Sequence, residues 1–323
     1  MTRTLKQATI RTLDQIPKPR KRLLAAPSPT DLDTVSGHRA KPFLVKHLEQ
    51  TGVMSMSAEE LLAVPAVGEF LANLAAKPRQ SDRSGSLRGS SIDRCMRAQA
   101  FQYLGTPTYQ HGDFDSRQAL IYSDGQFRHI RWQCMFLAAQ DYITPTGVLR
   151  SFQPEYKVKE VARVPLPTQN LGGVDLEGHV DGVLGFVRPD MDLNHPGITY
   201  GLEIKGSREI SWIMDRPAKE HVRQIATYGV LTGITNWVVL YESKSTQETR
   251  EHVIDLNDHK EVTDGVRERI TKVAGAIQEE SLPDIQSACE GGGTTEFYDC
   301  AWHHVCLGCQ DWGQAVALTP KPA

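Results

Sequence analysis

Three residues, Asp181, Glu203 and Lys205, have the types and spacing to do chemistry together. Glu203 and Lys205 flank Ile204 at the end of an apolar segment, Ile198 to Lys205, that reads as a strand. Residues two apart on a strand point to the same face. Asp181 lies in Gly178-His179-Val180-Asp181-Gly182, inside a second alternating segment from Gly173 to Val187. The separation of 22 residues between Asp181 and Glu203 suits two arms of a hairpin, turned through the Pro- and Asn-containing stretch Arg188 to Gly197. Two carboxylates then converge beside an ammonium. Buried like charges repel and are costly unless paired or bound to a metal. A hard divalent cation, Mg²⁺ or Mn²⁺, removes the conflict, polarises a phosphate oxygen and lowers the pKa of a water. Lys205 would orient or deprotonate that water, or offset charge in the transition state. The plain alternative is a surface hairpin carrying a Glu-x-Lys pair, a common tripeptide.

A second constellation is sulfur. Cys300, Cys306 and Cys309 crowd a ten-residue tail, and Cys95 lies about two hundred residues earlier. Met1 to Leu24 is polar and basic with no apolar stretch, so no secretory signal is expected. In a reducing compartment the six cysteines are expected to be thiols or metal ligands rather than disulfides. Zinc on a Cys/His set is one reading of the tail, with His303 as a further donor. Cys134, on an apolar helix face, and Cys289 read as plain residues. The net charge of −3 neither requires nor excludes a nucleic-acid partner, since only one face need be basic. No apolar run is long enough to span a bilayer.

The elements that must position these groups follow from periodicity. Residues 1–80 read as a separate segment: a basic arm around Lys18-Pro19-Arg20-Lys21-Arg22, then helical stretches from Ser57 and over Ala66 to Ala76. Arg79 to Ser91 reads as a Ser/Gly/Arg linker, leaving 81–323 as the main domain. There, Ile92 to Leu104 reads as a helix capped by Ser90 or Ser91 and ended by Gly105. Ser116 to Tyr142 reads as one long helix or two short ones meeting near Gly125, and Ser151 to Val164 as a strand. After the hairpin come a helix, Pro217 to Thr232, strands Asn236 to Glu242 and Glu251 to Leu256, and an amphipathic helix, Val262 to Glu279. This order predicts an α/β or α+β sheet flanked by helices.

Gly178-His179-Val180-Asp181, then Glu203-Ile204-Lys205, then Gln224-Ile225-Ala226-Thr227-Tyr228 resemble the motif series G-x-x-D, E-x-K and Q-x-x-x-Y of RecB-like nucleases in the PD-(D/E)XK superfamily. His129, in Gly125-Gln126-Phe127-Arg128-His129, matches the histidine that precedes those motifs, and Glu155 resembles a further acidic position. The resemblance spans about Ser90 to Trp312. It implies a restriction-endonuclease-like mixed sheet with metal held by His129, Asp181, Glu203 and the Ile204 carbonyl. Lys205 would be catalytic, and Gln224 and Tyr228 would position DNA and the lysine. The cysteines resemble the iron–sulfur clamp of AddB and of CRISPR-associated adaptation exonucleases, which implies a [4Fe–4S] cluster on Cys95, Cys300, Cys306 and Cys309. The tail departs from the usual C-x2-C-x5-C: here it is C-x5-C-x2-C, and His303 stands where the middle cysteine would fall.

The resemblance implies a metal-dependent deoxyribonuclease, an exonuclease working on DNA ends or single strands in replication, recombination or repair. It implies a bacterial cytoplasmic setting, with a phage-encoded source in keeping. Arg94, Arg97 and Tyr228 are the expected DNA contacts. A homo-oligomer, or association with recombination or replication proteins, stays open. So do two other readings: an endonuclease of the superfamily, and a non-catalytic DNA-binding scaffold of the same fold. A redox iron–sulfur protein would want a nucleotide-cofactor motif, and no G-x-G-x-x-G follows a strand.

Overall fold

The computed structural model describes residues 42–76, 85–92, 94–109, 116–157, 174–208, 210–211, 215–292 and 298–319. The basic arm and part of the Arg79–Ser91 linker lie outside them. The helices are α1 (Leu44–Thr51), α2 (Ala58–Leu62), α3 (Pro65–Ala76), α4 (Met96–Leu104), α5 (Ser116–Ala138), α6 (Lys219–Thr232) and α7 (Lys260–Gln278). The strands are β1 (Ser86–Arg88), β2 (Ile143–Thr144), β3 (Gly147–Lys157), β4 (Asp175–Glu177), β5 (His179–Val187), β6 (Ile198–Ser207), β7 (Asn236–Ser243) and β8 (Thr249–Asp255). Two short helical turns, His303–Cys306 and Trp312–Ala317, end the chain. Among the described residues no helix is long and apolar enough to cross a membrane.

Six strands form one mixed sheet in the order β2-β3-β5-β6-β7-β8. The expected hairpin is there: β5 and β6 pair antiparallel, with Gly182 opposite Leu202. The pair β6–β7 is parallel, because α6 carries the chain back between them. Strand β7 shows how the sheet is buried on both sides. Its Trp237, Val239 and Tyr241 join a core with Ile225 and Tyr228 of α6 and Ile270 and Val273 of α7. Its Val238 and Leu240 join a second core with Trp132 and Phe136 of α5 and Leu44 and Leu48 of α1. A helix layer on each face of a mixed sheet is the α/β architecture the element order predicted.

Three sequence expectations need correction. First, residues 44–76 are not separate from the main domain. Leu44, Leu48, Val67 and Phe70 belong to the core under the sheet. The carboxylate of Glu251 on edge strand β8 accepts from the backbone N–H groups of Phe43, Leu44 and Val45 at 2.8–3.1 Å, which fixes the start of α1. Second, α4 begins at Met96 with Cys95 at its N-cap, four residues later than expected. The carbonyls of Ile92 and Arg94 accept instead from Gln99 Nε2 (2.9 and 3.2 Å) and from the Arg269 guanidinium (2.9 and 2.5 Å). Third, α5 is the single long helix of the two alternatives, but it stops at Ala138 and not at Tyr142.

Candidate active site and cysteine cavity

The hairpin and α6 bring the acidic centre together. Glu203 is 2% exposed on β6. Its Oε1 lies 2.6 Å from Lys205 Nζ and accepts from Gln224 Nε2 at 2.7 Å, while Gln224 Oε1 accepts from Lys205 Nζ at 3.0 Å. Gln224 therefore holds the acid and the lysine at once, from the first half of α6. On β5, Asp181 Oδ2 accepts from the backbone N–H of Ile204 at 2.7 Å, which locks the two motif strands together. Its Oδ1 lies 3.0 Å from His129 Nδ1 on α5. Gln133, one turn on from His129, donates to the Asp181 carbonyl at 2.8 Å and to Glu155 Oε1 at 3.1 Å. Glu155 holds a left-handed backbone (φ 52°) and stands across the β3–β5 pair from Asp181.

Electrostatics marks this centre as strained. Burial, then the charge of Asp181, pushes Glu203 up to about 7 against the pull of Lys205 and His129. Burial works to lower Lys205, yet Glu203 and Asp181 outweigh it and raise the ammonium's pKa. His129 follows the same pattern: burial lowers it, and the Asp181 contact with the Asp181 and Glu203 charges raises it overall. Glu203 Oε2 is buried with no hydrogen-bond partner.

Tyr228 lies one turn beyond Gln224 on α6 but does a different job from the one expected. It is 2% exposed, so it offers no surface to DNA. A Cβ added at Gly178 or at Gly89 would come within 2.7 Å of its ring. The glycine of the first motif is thus the seat of the tyrosine of the third. Burial, then the charges of Glu203 and Asp181, raise the pKa of its hydroxyl, against the opposing pull of Gln224 and Ser90. Tyr228 supports Gln224 from behind.

Arg97 also departs from its expected DNA role. It is 4% exposed, and its guanidinium donates to the carbonyls of Pro283 (2.8 Å), Cys306 (3.5 Å) and Cys309. It pins α4 to the tail. Arg94 remains exposed, and its charge acts on Cys300. Beyond Lys205, a cavity of about 580 Å³ is lined by Arg208, Arg216, Lys219, His221 and Tyr241.

All six cysteines are outside disulfides. Cys95, Cys300, Cys306 and Cys309 share one apolar cluster with Phe101 and Trp302, so the tail folds back on α4, as the resemblance implied. Trp302 Nε1 donates to the Thr106 carbonyl at 2.9 Å within the same junction. The cavity at its centre, about 40 Å³, is lined by Cys95, Cys300, Cys306 and His303 and by Cys289, which sequence reasoning set aside. Cys309 does not line it; its thiol donates to the Asp311 carbonyl at 3.5 Å. Burial raises the thiols of Cys300, Cys306 (to about 11) and Cys309. Only the shared cavity lining distinguishes Cys289, and no spacing rule points to it.

Two carboxylates and an orphaned buried oxygen suit a hard cation, and cysteines lining one cavity suit a soft metal or cluster. As they stand, however, no three His, Cys, Asp or Glu side chains among the described residues are arranged to hold a single ion. At the acidic centre the Lys205–Glu203 ion pair, at 2.6 Å, would have to give way to the cation.

No protein family matches the chain by sequence, and no curated protein does. Among solved structures, the chain is similar to SSO0001 at 13% identity and TM-score 0.38, over 78% of this chain and 98% of that one. It is similar to an alkaline exonuclease from Laribacter hongkongensis, LHK-Exo, at 14% identity and TM-score 0.35, over 61% of this chain and 92% of that one. Overlaps this low assign neither a family nor an activity.

Proposed function

We propose that this protein is a metal-dependent DNA nuclease that hydrolyses phosphodiesters, acting as an exonuclease on DNA ends or single strands. The observation that carries the reading is the Glu203–Lys205–Gln224 network, set against Asp181 with one Glu203 oxygen buried and unpartnered. Mg²⁺ or Mn²⁺ bound by Asp181, Glu203, His129 and the Ile204 carbonyl would supply a Lewis acid for a phosphate oxygen and acidify a water. Lys205, freed from Glu203 but still held by Gln224, would orient that water and offset negative charge on the phosphorane-like transition state. Gln224 keeps the lysine aimed, and Tyr228 keeps Gln224 in place. Arg208, Arg216 and Lys219 around the neighbouring cavity, with the exposed Arg94, supply cations for the DNA backbone.

The thiols have a structural part in the same reading. A [4Fe–4S] cluster held by Cys95, Cys289, Cys300 and Cys306 would supply a covalent staple between α4 and the tail. Cys95, Cys289, Cys300 and Cys306 line one small cavity together with His303, a donor set that zinc would also accept.

The test is hydrolysis of end-labelled single- and double-stranded DNA with Mg²⁺ or Mn²⁺ by protein purified without oxygen, wild type against Lys205→Ala. Metal-dependent cleavage lost in the variant is expected, and the product ladder gives end preference and polarity. Wild-type protein that binds DNA but cleaves none of it would replace the enzyme with a binding module.

A further inference from the structure

Glu242 is 1% exposed on β7 and lies outside the acidic centre, yet three side chains of α5 converge on it. Arg128 donates to its Oε1, Arg131 to the same oxygen at 2.5 Å, and Trp132 Nε1 to Oε2 at 2.6 Å. These positions flank His129 on the helix. Arg128 and Trp132 form one i, i+4 stripe; His129 and Gln133 form the next, and that second stripe contacts Asp181. The anchor also touches the lysine strand. Glu242 pairs in register with Gly206, which directly follows Lys205. A Cβ at Gly206 would sit 3.0 Å from Lys244 Cε and 3.2 Å from Arg128 Nε, so the arginine passes close over β6 at this residue.

We propose that Glu242 is a positioning residue: it fixes the register and rotation of α5 on the sheet, and thereby seats His129 against Asp181. Apolar contacts alone specify this weakly, because the Trp132 and Phe136 face would pack in neighbouring arrangements. One residue of slip moves a helix by about 1.5 Å and turns it about 100°. Two guanidinium groups and an indole N–H cannot follow a single buried carboxylate through that change. Buried ion pairs often add little net stability over apolar packing, and fixing one arrangement is their better-attested use. The consequence for cleavage rests on the nuclease reading; the seating of His129 does not.

The test uses the full chain labelled with ¹⁵N-histidine, metal-free in EDTA at a fixed pH of about 8, where histidine is largely neutral unless stabilised by a partner. The His129 signal is assigned by its loss in His129→Ala. In wild type Nδ1 should carry the shift of a hydrogen-bonded nitrogen. In Glu242→Ala it should move to where Asp181→Ala puts it, and in Glu242→Gln, which keeps one acceptor oxygen, part of the way. If Glu242→Ala does not fold, Trp132→Phe removes only the indole donor and should give the partial shift. An unmoved His129 signal in a folded variant overturns the proposal. A Mn²⁺ titration adds a second readout: His129→Ala and Glu242→Ala should each weaken binding about tenfold or more, and the double variant no further. Additive losses would also overturn it. Wild type that binds no Mn²⁺ would sink the metal-dependent nuclease reading alone, with the His129 signal still deciding the seating.

Discussion

Replacing Glu203 by Gln should stabilise the metal-free protein at alkaline pH while removing its activity. Glu203 moves from an ordinary 4.5 to about 7 on folding, a value that already includes the attraction of Lys205. A carboxyl whose folded pKa is raised contributes stability that is complete below about pH 4.5 and is lost as pH rises through 7. At about 1.4 kcal/mol per pH unit, the ionised carboxylate costs about 3 kcal/mol by pH 8.5. Gln keeps the shape and the oxygen that accepts from Lys205 and Gln224. Glu203 leaves Oε2 unpartnered, and Gln would leave an amide nitrogen there, so that cost cancels in the comparison. Urea denaturation in EDTA should therefore show the two proteins nearly equal at about pH 4 and the Gln variant ahead by about 3 kcal/mol at about pH 8.5. Divalent cation at about a hundred times its Kd should return about 2.7 kcal/mol to wild type and nothing to the variant. A Gln variant no more stable than wild type at pH 8.5 without metal would refute the claim that the acidic centre is held under electrostatic strain.

Two further pairs of variants test roles that the structure assigns differently from the sequence. Cys289→Ala should lose the visible absorption, iron and acid-labile sulfide of anaerobically purified protein, while Cys309→Ala should keep them; the reverse result would restore Cys309 as the fourth ligand. Arg97→Ala should lower stability by about 2–4 kcal/mol through its three lost carbonyl contacts, with the salt dependence of DNA binding unchanged in the folded variant. Arg94→Ala should reduce that salt slope by about 1 without a stability loss, as measured by titration of labelled DNA over a range of salt.

Much of the acidic centre was legible because its signals are local. A period of two placed Glu203 and Lys205 on one face, and the hairpin spacing brought Asp181 to them. Four residues on a helix put Gln224 and Tyr228 on one side. Other assignments rest on packing that no local pattern records. The rotation of α5 and the start of α4 are tied to side chains more than a hundred residues away, such as Glu242 on Arg128 and Arg269 on the Arg94 carbonyl.

The sequence by itself determined the order of elements, the strand pair carrying the acids and the helix carrying Gln224. Alternation, helical spacing and turn residues act through neighbours along the chain, and so they can be read along it. Only the tertiary structure decided that Arg97 and Tyr228 are buried supports, that Cys289 and not Cys309 faces the thiol cavity, and that residues 44–76 complete the core. Those outcomes depend on which surfaces meet across the sheet and at α4. Burial turns a cation or a phenol from a ligand contact into a brace, and burial is a property of the assembled fold.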